Sequence, residues 1–168
     1  MFKLTQKDKN AYKFLIKFIG IIILYYVLIA IFGTEYLSPY LTFSAWLSSG
    51  ILSLFMGEVS NIGYQIMGEG VSLSLSYGCD GTDQFIVFIA GVMSIPSSLN
   101  KKLIGISAGL VAIYFLNLFR IIGLYIIALK DFSLFETFHV VVFPIIFIII
   151  SLIFWYIWLK WDYDAKVS

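Results

Sequence analysis

The sequence predicts an all-α membrane protein: a bundle of about four transmembrane helices with an interfacial amphipathic helix and a small extracytoplasmic β-hairpin. Three observations carry this. Hydrophobic residues make up 61% of the 168 residues and charged residues only 12%, whereas a soluble surface needs roughly twice that share of charge. Apolar runs of spanning length recur along the chain. The lysines and the acidic residues separate onto opposite sides of the arrangement those runs define.

The whole chain, 1–168, reads as one integral membrane domain. Its first dozen residues are polar, and the apolar run after them has no small-residue cleavage site, so it reads as a retained helix and not a signal peptide. The first span covers 14–32 and ends at Gly33. Over 38–56, Ser38, Thr42, Ala45, Ser49 and Ser53 share one helical face with no basic residue, which suits an interfacial helix or one packed on the bundle. Over 58–77, Val71 to Tyr77 alternates apolar and polar, Asn61 to Met67 does so less cleanly, and Gly68-Glu69-Gly70 sits between as a turn. This predicts a β-hairpin outside the hydrocarbon, leading into Gly78-Cys79-Asp80-Gly81.

The second span covers 82–97 and is closed by Pro96. The third covers 103–129, with Gly105, Ala108, Gly109 and Ala112 forming a small-residue face where another helix can pack closely. The fourth covers 138–159 and carries Trp155 and Trp158, with Trp161 just beyond, as an aromatic belt at one end.

With four spans, Lys3, Lys7, Lys9, Lys13, Lys17, Lys101, Lys102, Lys160 and Lys166 fall on one side, which is then cytoplasmic and holds both termini. Glu35, Glu58, Glu69, Asp80, Asp83, Asp131 and Glu136 fall on the other, with Lys130. A fifth span at 38–56 would break this segregation. A single cysteine excludes an intrachain disulfide, and a net charge of +1 argues against nucleic acid as a partner.

The same topology brings three unusual residues to one depth. Cys79 lies at the outer start of the second span, Arg120 in the outer part of the third, and His139 at the outer start of the fourth. Cys79 stands between glycines ahead of a helix start, a setting that lowers a thiol's pKa, although the adjacent Asp80 opposes this. Arg120 is a charge inside a span, which costs roughly 2.5–3.5 kcal/mol on the lenient insertion scale and so faces the interior with a partner or a task. Asn117 is one turn earlier on the same face and can hold the guanidinium or line the site. Glu136 shares a face with His139 and can orient the imidazole. One His and one Cys supply too few ligands for a metal, so no metal or other cofactor is expected.

Together the three suggest acyl chemistry: a thiolate attacks a peptide carbonyl, a His moves protons, and an Arg stabilises the oxyanion. Two other classes stay open on these residues. One is a small channel or transporter with Arg120 binding an anion. The other is a non-catalytic membrane scaffold.

The order Cys, Asn-x-x-Arg, His, each on its own membrane segment, resembles the exosortase/archaeosortase family of membrane cysteine transpeptidases. The likeness runs from Ser76 to Leu159, through Tyr77-Gly-Cys-Asp-Gly-Thr82, Asn117-Leu-Phe-Arg-Ile121 and Phe135-Glu-Thr-Phe-His139. The Gly-Cys-x-Gly and Phe-Glu-x-x-His elements look most like the short exosortase H type. The resemblance implies an inner-membrane enzyme. It would cleave C-terminal sorting tails of exported proteins through a thioester and pass the new C-terminus to an acceptor. It implies Cys79 as nucleophile, Arg120 as stabiliser and His139 as acid/base. Relatives commonly carry Ser or Asn where this chain has Asp80, and the extra N-terminal spans of the long exosortases are not found here.

Overall fold

The structure is a computed structural model that describes residues 6–68, 70–78 and 80–167. Helix α1 (Gln6–Phe32) leads through a 3-10 turn (Glu35–Leu37) into α2 (Ser38–Met56). Three strands follow, β1 (Ser60–Ile62), β2 (Gln65–Gly68) and β3 (Val71–Ser74). Then come α3 (Thr82–Ser94), α4 (Leu99–Lys130) and α5 (Phe132–Thr137). One π-helical turn (Phe138–Val142) joins α5 to α6 (Phe143–Val167).

Among the described residues, three helical stretches are long and apolar enough to cross a membrane: Lys9–Phe32, Leu99–Lys130 and Phe132–Asp164. They take in the first, third and fourth expected spans, and two of them run on beyond the apolar run at both ends. The second expected span is shorter. Helix α3 has 13 residues, about 20 Å at 1.5 Å per residue, against a hydrocarbon core of about 30 Å. Its two ends nonetheless reach different levels of α4. Asp80, just before α3, meets Asn117, and Ser97, just after it, bonds Asp162, which also pairs with Lys101. The stretch of α4 from Lys101 to Asn117 is roughly 24 Å long at the helical rise.

Helix α4 is the spine. Gly105, Gly109, Ile113, Asn117, Arg120, Ile121, Leu124, Tyr125 and Ala128 are all buried and recur at three- and four-residue spacing, the period of one helical face. The lower half of this stripe is apolar and close-packed. Gly105 lies against the indole of Trp158 and Gly109 against the ring of Phe88, so that a Cβ at either would overlap the aromatic ring. The small-residue face thus accepts aromatic side chains from α6 and α3, and Phe88, Val92, Ile113, Phe147 and Trp158 form a core there.

Helix α2 covers the expected range, but its inward face is rotated from the expected one. Leu41, Ser44, Ala45, Ser48, Ser49 and Leu52 are buried, whereas Ser38 and Ser53 are exposed. The outward face carries Phe43, Trp46, Leu54 and Phe55. Small residues inside and bulky apolar residues outside are what close helix packing in lipid favours. Two of the buried hydroxyls find acceptors: Ser48 donates to the Ser44 carbonyl, and Ser49 to the Trp46 carbonyl and to Asn61 Oδ1.

The expected hairpin is present as β2–β3, and the structure adds β1 to it, in the order β1-β2-β3 with both pairings antiparallel. The less regular alternation over Asn61 to Met67 has a physical cause. Gly63, at φ +56°, and Tyr64 make a two-residue turn that folds that segment on itself. Glu69, in the second turn, lies outside the described residues. The sheet lies against α2 and α4, with Val59, Ile66 and Leu75 packed among Leu41, Ala45, Leu52, Ile121 and Tyr125. Tyr125 donates its phenol hydrogen bond to the Gly68 carbonyl at 2.7 Å.

Gly109→Leu is expected to force α3 and α4 apart, at a cost of roughly 1–3 kcal/mol for overpacking. Gly20→Leu, at a position with nothing within 4 Å, should be near neutral. Thermal unfolding of both variants in detergent checks this; equal melting of the two would contradict the α3–α4 packing.

Candidate active site

The segment between β3 and α3 turns sharply at two glycines, Gly78 at φ +88° and Gly81 at φ +85°. Both values lie in the left-handed region that costs other residues roughly 1–2 kcal/mol. Gly81 is constrained twice, because a Cβ there would sit 3.1 Å from Asn117 Cγ.

Asp80 organises this segment with both its side chain and its backbone. Its carboxyl group is buried, and Oδ1 accepts from Thr82 Oγ1 at 2.9 Å, from Gly78 N at 3.2 Å and from Thr82 N at 3.4 Å. This Asx-type turn satisfies one of the first amides of α3, which have no partner within the helix. Burial pushes the carboxyl above its ordinary pKa, while the bonds from Thr82 and Gly78 pull the other way. The N-cap position itself is Gly81, without a side-chain cap, and Asp80 serves the start of α3 from one residue before it through Oδ1.

The backbone carbonyl of Asp80 accepts two further bonds, from Asn117 Nδ2 at 2.7 Å and from the Tyr40 hydroxyl at 2.8 Å. Helices α4 and α2 thus hold the same oxygen. Asn117 was expected to hold the guanidinium or to line the site; its amide reaches the Asp80 carbonyl and fixes the loop that follows position 79. Cys79 itself lies outside the described residues.

Arg120 stands one turn further along α4 and is only 4% exposed. Its Nη2 donates to the His139 carbonyl at 3.5 Å, and the guanidinium carbon lies 5.8 Å from the centre of the Phe147 ring, within cation–π range. Arg120 and His139 therefore do meet, as the common depth implied. His139 sits on the π-helical turn, where the Phe143 amide reaches back five residues to the Phe138 carbonyl. Such single wide turns recur at functional sites. The imidazole stacks on Phe135 at 5.4 Å between ring centres. Glu136 is exposed on α5, so the ring's packed neighbour is Phe135.

The sequence did not single out Tyr40 or Phe147, and it marked Phe135 only as part of the Phe-Glu-x-x-His element, not as the ring stacked on His139. Nothing about Tyr40 marks it in the sequence, since it is one aromatic residue among many on an apolar helix. Phe135 does fall four residues before His139, the spacing that stacks side chains on a helix.

A helical membrane bundle with a buried Arg and a His at one end, against a backbone-anchored glycine turn, is a membrane-embedded polar site. The family description of transmembrane exosortase matches residues 4–162, and the chain belongs to that family. No curated protein and no solved structure matches it.

Two predictions follow from the Asp80 turn. Asp80→Asn keeps the Oδ1 acceptor and removes a buried charge. Because the folded carboxyl titrates above its unfolded value of 3.8, the folded state holds the proton more tightly, so the wild-type protein loses stability as pH rises from about 4 through the folded value. Asp80→Asn should remove that slope and melt no lower than wild type near neutral pH; an unchanged pH slope would contradict it. Tyr40→Phe deletes one of two donors to the Asp80 carbonyl and should cost roughly 0.5–1.5 kcal/mol. Gly81→Ala should cost more, because backbone strain and the Asn117 contact add. Melting curves of the two variants give the order.

Proposed function

We propose that this protein is a membrane-embedded cysteine transpeptidase that cleaves C-terminal sorting tails of exported proteins at the outer leaflet. Family membership supports the class, and one structural observation carries the chemistry. The turn that bears position 79 is anchored through the Asp80 carbonyl to Asn117, a single helical turn from a buried Arg120 that contacts His139.

In this reading the Cys79 thiolate attacks the scissile carbonyl and the carbonyl electrons move onto oxygen. The guanidinium of Arg120 stabilises that oxyanion in a low-dielectric setting. The intermediate collapses, the C–N bond breaks, and His139 delivers a proton to the departing amine. A thioester to Cys79 remains. An incoming nucleophile from the acceptor then gives its proton to His139, attacks the thioester carbonyl and releases the thiolate. Asn117 and Asp80 position the turn, and Glu136 supports the His139 segment from outside.

The finer topology belongs to the same proposal. Helix α3 serves as the fourth crossing, because its ends meet opposite levels of α4, and α2 lies at the outer interface. Both termini face the cytoplasm of a bacterial inner membrane, as the lysine distribution supports. Substrates are tails in which a short motif precedes an apolar span and a basic cluster.

The test is a processing assay in cells with a panel of reporters ending in such tails from the same genome. Cys79→Ala and His139→Ala should abolish cleavage, and Arg120→Ala should slow it roughly 100- to 1,000-fold, the usual cost of one oxyanion partner. Mass spectrometry of the new C-terminus distinguishes a transferred product from a free acid. Processing that survives Cys79→Ala at the wild-type rate would refute the assignment.

A further inference from the structure

A groove of about 280 Å³ runs beside the site, lined on one side by β3 and its continuation (Ser72 to Ser76) and on the other by Leu124, Ala128, Phe132, Phe135 and His139. Strand β3 is an edge strand, paired only with β2. Its register decides which backbone groups the sheet uses. The Leu75 amide donates to the Tyr64 carbonyl, and Leu73 lies opposite Ile66 and Val71 opposite Gly68. In an antiparallel ladder, hydrogen-bonded and non-bonded pairs alternate. Leu75, Leu73 and Val71 therefore direct their amides and carbonyls at β2, and Ser74 and Ser72 direct theirs away from it, at the open edge.

The side chains alternate in the same rhythm. Leu75 is buried and Val71 and Leu73 pack on the core, whereas Ser72, Ser74 and Ser76 are exposed. The open edge thus offers small hydroxyl side chains and, at Ser72 and Ser74, main-chain donors and acceptors at two-residue spacing. The facing wall offers aromatic and aliphatic surface. A long bare edge invites pairing with another strand and is normally blocked by charge, proline or a covering element. Strand β3, Val71–Ser74, carries no charged residue and no proline, and α4 stands beside it across the groove.

We propose that β3 is the docking strand for the substrate, which adds to the sheet as an extended fourth strand and runs along the groove to His139. The proposal rests on the transpeptidase reading, and it names what that reading lacks: how the segment flanking the scissile bond is held. Main-chain pairing with Ser72 and Ser74 sets the register, and a register step of one residue turns every substrate side chain to the other face. Substrate side chains at alternate positions then meet Phe132, Phe135 and Leu124, so those positions take apolar residues. The positions between them face away from that wall and tolerate polar ones.

The experiment separates backbone from side chain. Ser72→Pro and Ser74→Pro remove outward-pointing amides that β2 does not use, so the sheet tolerates them as edge prolines. Ser72→Ala and Ser74→Ala keep the amides. The proline variants are expected to lose at least tenfold in processing of the tailed reporter, at unchanged protein level and melting temperature, and the alanine variants to process normally. A second measurement does not need turnover. In the full-length Cys79→Ala protein, p-benzoylphenylalanine replacing Ser74 is photo-activated in cells expressing the reporter, and the cross-linked peptide is sequenced. Adducts on the residues that precede the reporter's apolar span support docking on β3. Proline variants that process like wild type, or folded protein that gives no adduct there, overturn it. If Cys79→Ala proves to cleave normally, the catalytic reading falls, and the cross-link still decides whether β3 receives the tail.

Discussion

One end of this helical bundle hangs on one backbone oxygen. The Asp80 carbonyl accepts from Asn117 on α4 and from Tyr40 on α2, while the same residue's carboxyl turns back to hold Gly78 and Thr82. Four parts of the fold are thereby fixed to each other: two helices, the start of α3, and the turn carrying position 79. The arrangement answers a solvation constraint. Asp80 and Thr82 are buried, so the polar groups there have little water to satisfy them, and an unpaired one costs roughly 1–3 kcal/mol. A sharp turn made by two left-handed glycines cannot satisfy itself through a regular ladder. It persists because side chains from the surrounding helices supply the missing partners. The opposite end of the bundle uses the same device, with Ser97, Lys101 and the buried Asp162 tying α3, α4 and α6 together.

The helices were legible because their signal is strong and local. Long apolar runs, Gly33 and Pro96 as stops, and the separated lysines located them, and even the weakly amphipathic 38–56 emerged with its expected bounds. The direction of the α2 face was less legible. Spacing shows which small residues lie near one another, but in lipid both faces can be apolar, and side-chain size decides which one turns inward. Thus Ser44 and Ser48, outside the expected set, are buried beside Ala45 and Ser49 from within it, while Ser38 and Ser53 are exposed. Strand β1 was hidden by the turn at Gly63 and Tyr64, which interrupts the alternation that would have revealed it. The π-turn at Phe138–Val142 has no periodic signature at all, since a single wide turn differs from an α-turn by one residue of phase.

The site was legible through scarcity. In a chain this apolar, the only Arg and the only His are conspicuous, and a common depth follows from topology alone. Their meeting required the fold: the Arg120 side chain reaches the carbonyl of His139, so the contact is to backbone. Such a contact orders the π-turn without consuming the imidazole's nitrogens. Asn117 was singled out beside the guanidinium and Asp80 beside Cys79, and the geometry has both holding the turn. Tyr40 completes that grip from a helix with no other polar role at this level, and an isolated phenol on an aromatic-rich helix carries no sequence signal of it.

Burial of Arg120 has a consequence for chemistry. The Arg120 guanidinium is 4% exposed, with the His139 carbonyl and the Phe147 ring among its neighbours. In the mechanism proposed above, a cation held in so low-dielectric a setting stabilises an oxyanion that forms during reaction more than a neutral ground state. That difference is the useful part, because only interactions stronger in the transition state lower the barrier. The same low-dielectric setting would punish a substrate that arrived poorly aligned, since its own amides would also lose water. An extended polypeptide can avoid that loss only where unused main-chain partners already stand in register. Beside His139 they stand at Ser72 and Ser74, on the open side of a strand whose other side is fully engaged by β2. The demand for satisfied backbone groups that anchors the glycine turn is thus the same constraint on which the proposed docking path along β3 rests.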